Sequence, residues 1–164
     1  MTASFSSLAA FAGFLTKATA DMKRADARAL DKAARVVKAE AKGEIGHYQD
    51  QAGPFAGWDE LAESTKTDRV RQGFSENDPL LRGGELYRSI KHEVREPKAY
   101  VGSDLPEAVF MELGTSHAPP RSFLGAAAFR KGHVAAQAAG GEVISALVGH
   151  EVHLGAMPIN PEEL

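Results

Sequence analysis

Between about Ala25 and Ile45 the chain carries no proline, one interior glycine and a heavy load of alanine, lysine and arginine. These are strong helix formers, and a helix of about twenty-one residues runs roughly 31 Å. Leu30, Ala34, Val37 and Ala41 recur at i, i+4, i+7 and i+11, which draws one apolar stripe along the rod. A rod with a single apolar face must lie against something, so the rest of the chain has to supply that partner. The start falls at Asp21 or Ala25, and Gly43 and Gly46 supply the stop. Ahead of it, Phe5, Leu8, Ala12 and Leu15 predict a separate short helix over 5–15.

Residues 48–84 have the opposite character. Gly53-Pro54, Gly57, Gly73, Pro79 and Gly83-Gly84 punctuate them, and apolar periodicity fades. A helical turn is expected over 65–72 inside an otherwise long excursion, the kind of loop that is usually functional. Trp58, the one tryptophan, is expected to anchor it to a core or a neighbour. A helical turn over 85–90 then feeds a hairpin. Ile90, His92 and Val94 alternate with charged residues, Glu96-Pro97-Lys98 turns the chain, and 99–102 returns. Residues 104–112 form a short helix with Pro106 at its start and Gly114 at its end. His117-Ala118-Pro119-Pro120 is a stiff link. Residues 123–147 are helical, with Gly140-Gly141 marking either a kink or a break between two helices. Residues 149–164, with Pro158 and Pro161, form a loosely held extension.

Several function classes fall away on composition. Without cysteine there is no disulfide, thiolate zinc site or cysteine nucleophile. A net charge of −3 argues against a dedicated nucleic-acid-binding domain. Eight lysines and arginines crowd Lys17 to Lys42, which on a helix reads as a solvated face. No basic start precedes the apolar run over 8–15, and no stretch approaches the ~20 apolar residues of a membrane span. That pattern fits a protein made in the cytoplasm. His150 and His153 are spaced to share a metal only if their segment is helical, and Glu151 is the one further ligand nearby. No zinc-protease, phosphate-loop or nucleophile-elbow motif is present. The residues therefore predict no catalytic site, no metal and no cofactor.

Two constellations remain. One is Trp58, Leu61 and Thr65, followed by Leu81, Gly84, Leu86, Ser89 and Ile90. The other is Glu112, Gly114 and Thr115, then Pro120, Arg121, Phe123 and Leu124. The second encodes a short helix, a tight turn, a rigid link and an aromatic pivot into the last helix. Arg121 is placed to pair with Glu112 across that turn. On residue chemistry alone this corner is equally a packing device or a functional one.

In their order and spacing, over about 25–131, the two constellations resemble the tail-completion, or tail-terminator, family of long-tailed bacteriophages. The family pattern has a tryptophan-led segment, then Gly-x-Leu-x-x-Ser-Ile opening a hairpin. A later Glu-x-Gly-Thr precedes a proline-arginine-phenylalanine-leucine corner. Ser122 stands where a proline is usual, and Glu107 where a tyrosine is common. The resemblance implies an α+β fold, with a long helix and flanking helices on a small antiparallel sheet. It implies one domain over 1–148, with 48–84 as an extended arm and 149–164 as a C-terminal extension. It further implies a virion protein at the tail and neck, assembled in the host cytoplasm as a hexameric ring. The partners would be other copies, the tail tube protein and the neck or head-completion protein. DNA would pass through without specific binding, and no membrane is involved. Assembly contacts are then expected at Trp58, Leu61, Thr65, Leu81, Gly84 and Leu86. The competing readings are a neck or head-morphogenesis protein of other symmetry, and a small metal-binding hydrolase using His150 and His153.

Overall fold

The computed structural model describes residues 7–148. The fold is α+β, with five helices and one two-stranded antiparallel sheet among those residues. The 149–164 extension, with His150 and His153, lies outside the described residues.

Helix α1 spans Leu8–Glu44, 37 residues and therefore about 55 Å. The two helices expected over 5–15 and 25–45 are one, because nothing between Leu15 and Ala25 breaks a helix. Thr16 and Thr19 turn their hydroxyls back onto the carbonyls of Ala12 and Leu15, at 3.0 and 2.9 Å, and so fit within it. Ser7 caps the start by accepting from the Ala10 amide at 3.1 Å. Gly43 lies inside the helix, and Gly46, at φ 95°, supplies the turn beyond it.

The excursion contains α2 (Glu63–Arg71), and α3 (Glu85–Ser89) leads into the hairpin. Strands β1 (Ile90–Arg95) and β2 (Lys98–Ser103) pair from Ile90 with Ser103 to Arg95 with Lys98. Ile90, His92 and Val94 point inward, as their alternation predicts. Helix α4 (Pro106–Leu113) follows, and α5 runs unbroken from Leu124 to Val148, straight through Gly140-Gly141.

Helices α1 and α5 lie antiparallel. Arg28 and Lys32 both reach Glu142, while Lys131 and Arg130 reach Glu40 and Glu44. Alanines at 25, 29, 34 and 41 of α1 and at 126, 127 and 135 of α5 are buried, so small side chains dominate the buried helix surfaces. The large apolar groups gather at one end. Ile45, Trp58, Ile90 and Phe123 form the core with Ala41, Ala108 and Ala127, flanked by Tyr48, Leu80, Leu81, Leu86, Val101, Met111 and Leu124.

Candidate functional site

The corner between α4 and α5 is where both constellations meet. Glu112 ends α4 pointing at the first turn of α5, whose amides have no partner within the helix. Its Oε2 accepts from the Phe123 and Leu124 amides, both at 2.9 Å. Its Oε1 accepts from the Gly125 amide at 2.8 Å and the Ser122 hydroxyl at 2.5 Å. One carboxylate thus caps a helix from another element, its charge set against the positive end of the dipole. Gly125 permits the approach, since a Cβ there would sit 2.5 Å from the Phe55 ring and 3.0 Å from Glu112 Oε1.

The expected Glu112–Arg121 pair does not form. Arg121 is buried and turns the other way, its Nη2 donating to the Asp59 carbonyl at 2.9 Å and the Glu60 carbonyl at 3.4 Å. The physical reason is competition: the bare amides of a helix start already saturate the carboxylate. The carbonyls of Asp59 and Glu60 take the guanidinium instead, tying the excursion to the corner.

Each remaining motif residue has a packing task. Gly114 sits at φ 75°, and a Cβ would strike Pro120 N at 2.8 Å. Thr115 Oγ1 accepts from the amides of His117 and Ala118, at 3.2 and 3.1 Å, which sets the turn. The Thr115 amide donates to the Ala118 carbonyl at 2.8 Å to close that turn, Pro120 lies against Gly114, Phe123 is fully buried, and Leu124 packs on the same core. In the first constellation, Trp58 donates its Nε1 proton to the Ser122 carbonyl at 3.3 Å, joining the excursion to the corner. Gly84, at φ 81°, starts α3; Leu86 packs on the core, and the Ser89 hydroxyl meets that of Ser103 at 2.7 Å.

The expected assembly surface at Trp58, Leu61, Thr65, Leu81, Gly84 and Leu86 needs correction. Trp58 is buried, Leu81 and Leu86 pack on the core, Leu61 and Gly84 are half-buried, and Thr65 alone is exposed. The excursion is folded down rather than held out as an arm. Arg69, buried in α2, donates to the carbonyls of Ser75 at 2.7 Å and Leu81 at 2.6 Å, and Pro79 is fully buried. A segment too polar to form its own core is held instead by its tryptophan and two buried arginines.

One buried carboxylate stands apart. Glu44 receives Arg130 Nη1 at 2.5 Å, while its Oε2 has no hydrogen-bond partner among the described residues. Burial outweighs the guanidinium and pushes its pKa up to about 7. Among the described residues no group of three or more His, Asp or Glu is placed to hold a metal, and no helix is long and apolar enough to cross a membrane.

The surface that sequence reasoning missed is on α4. Ala108 is buried and Met111 and Glu112 face inward, which forces Val109, Phe110 and Leu113 outward at 54%, 55% and 72% exposure. The signal was present: Ala108 to Met111 is a continuous apolar run, wider than a short helix can bury on one face. No protein-family model matches the chain, and neither a curated protein nor a solved structure matches it.

Proposed function

We propose that the chain is a structural subunit of a long-tailed bacteriophage. It forms a homo-oligomeric ring, hexameric, at the head-proximal end of the tail, terminating the tail tube and joining it to the head. The observation that carries this reading is the order and spacing of the two constellations. Their convergence supports it: residues 64 positions apart in the chain, Trp58 and Ser122, are bonded at one corner. A motif set that builds a corner explains a family pattern without any reaction chemistry.

The partners on this reading are other copies, the tail tube protein and the neck or head-completion protein, with DNA passing unbound. The electrostatics support that last point. Of the eight basic residues on α1, four (Arg24, Arg28, Lys32 and Arg35) are paired with carboxylates, which weakens the pull of that face on phosphates. With a net charge of −3 the chain repels rather than gathers DNA.

Electron microscopy of particles produced without the protein tests the reading. Tails of uncontrolled length, or complete heads and tails that fail to join, are expected. Normal infectious particles would overturn it, and a twelve-fold ring in native mass measurement would move the chain to the connector.

A further inference from the structure

An open apolar groove of about 410 Å³ runs between α1, α5 and β2. Leu30, Val37, Val101 and Leu124 border it, and alanines at 33, 34, 99, 128 and 135 leave the space. Three of the four members of the apolar stripe along α1, Leu30, Ala34 and Val37, therefore line a groove instead of a closed core. The lining holds no charged or polar side chain. Small-molecule sites fix their ligands with a few convergent polar groups, and this one has none to offer. Its occupant must be apolar and shaped by packing alone.

The same chain carries a convex counterpart. Val109, Phe110 and Leu113 form a ridge on α4, and phenylalanine is among the residues enriched where proteins meet. The ridge cannot enter its own groove. Ala108 and the Glu112 carboxylate fix the rotation of α4 with those three side chains turned away from the subunit. We propose that the α4 ridge of one copy seats in the α1–α5–β2 groove of the next.

This contact joins two different surfaces, so it leaves a free ridge on one copy and a free groove on the other. Such head-to-tail pairing closes into a ring when the rotation allows and otherwise runs on as a filament; for closure the inference rests on the ring reading above. From their exposures the three ridge side chains offer roughly 300 Å², against about 800 Å² per partner in a stable standard interface. A lone pair is therefore weak, and the contact is expected to persist where every copy uses both of its surfaces.

The absence of native cysteine makes the test direct. Full-length Leu113→Cys and Ala128→Cys proteins, each exposed at the new thiol, are treated with a short bismaleimide at high concentration, separately and mixed. Crosslinked dimers are expected in the mixture and not in either protein alone. Adding Phe110→Asp to the Leu113→Cys protein should cut the yield at least tenfold while leaving its melting temperature unchanged. No dimer in the mixture, or equal yields from each protein alone, would overturn the contact. In particles, Phe110→Asp rings that assemble normally would also overturn it and leave the ring reading standing. Normal particles made without the protein would overturn the ring reading and leave the crosslink result intact.

Discussion

Replacing Glu112 by alanine leaves three backbone amides and the Ser122 hydroxyl without an acceptor at a largely buried corner. A lost cap costs about 1 kcal/mol, and stranded buried donors add to it, so the variant should lose about 3 kcal/mol in urea unfolding. Arg121→Lys keeps the charge but not the planar fork, and should lose about half as much. If the two residues were a pair, as their spacing suggests, the double variant would cost little more than either single one. Here they serve different partners, and additive losses are expected. That distinction was not legible in the sequence. Proximity suggested opposite charges would meet, whereas the first turn of α5 offers the carboxylate more donors than one guanidinium. Glu44 supplies a pH test. Its folded pKa, about 7 against an ordinary 4.5, means the folded chain holds that proton more tightly than the unfolded chain. Its stabilising contribution is complete below about pH 4.5 and is lost as pH rises through 7, on the order of 3 kcal/mol in all. Melting temperature should therefore fall between pH 5 and 8, and Glu44→Gln should flatten that decline.

Helices and hairpin were largely legible, because each carries its own periodicity. Ile90, His92 and Val94 alternate, Pro106 opens α4, and Gly114 closes it, all with local causes. What local pattern could not decide was continuity. Gly140 sits inside α5 with open space where a Cβ would stand, and so does Gly132. Neither is needed for packing within the subunit. Each therefore costs the helix about 0.5–1 kcal/mol relative to alanine, and Gly132→Ala or Gly140→Ala should raise stability by that amount. Gly125→Ala in the same helix should do the reverse, because its Cβ would meet the Phe55 ring and the Glu112 carboxylate. Thermal melts of the three variants separate a helix weakened by glycine from one that requires it. The excursion failed to read correctly for a different reason. Trp58, Arg69 and Arg121 hold it through partners far away in the chain or across turns, and no window along the sequence shows those.

The molecule's stability is unevenly distributed along its length. Trp58, Ile90 and Phe123 gather where the end of α1, the start of α5 and the hairpin meet, whereas further along the helices the buried side chains are alanines. By the register of Glu142 opposite Arg28 and Lys32, the end of α5 lies near residues 22–26 of α1. The first buried residue of α1 is Ala25, and Leu8 and Leu15 before it are 82% and 47% exposed. Free energies of local opening follow buried apolar contact, so they should rise along α1 from its first turn to its last. Native-state hydrogen exchange checks this: amides over 8–22 should exchange through fraying, and those over 34–45 and 123–135 only through global unfolding. Uniform protection along α1 would mean that its early turns are covered as well as its late ones. Addition of the Phe110→Asp change should leave the gradient intact, since the ridge of α4 contributes nothing to the core. A subunit whose rigid end carries both the Glu112 corner and Leu124 at the groove keeps the two in fixed relation, so a neighbour that reads one meets the other in a set place.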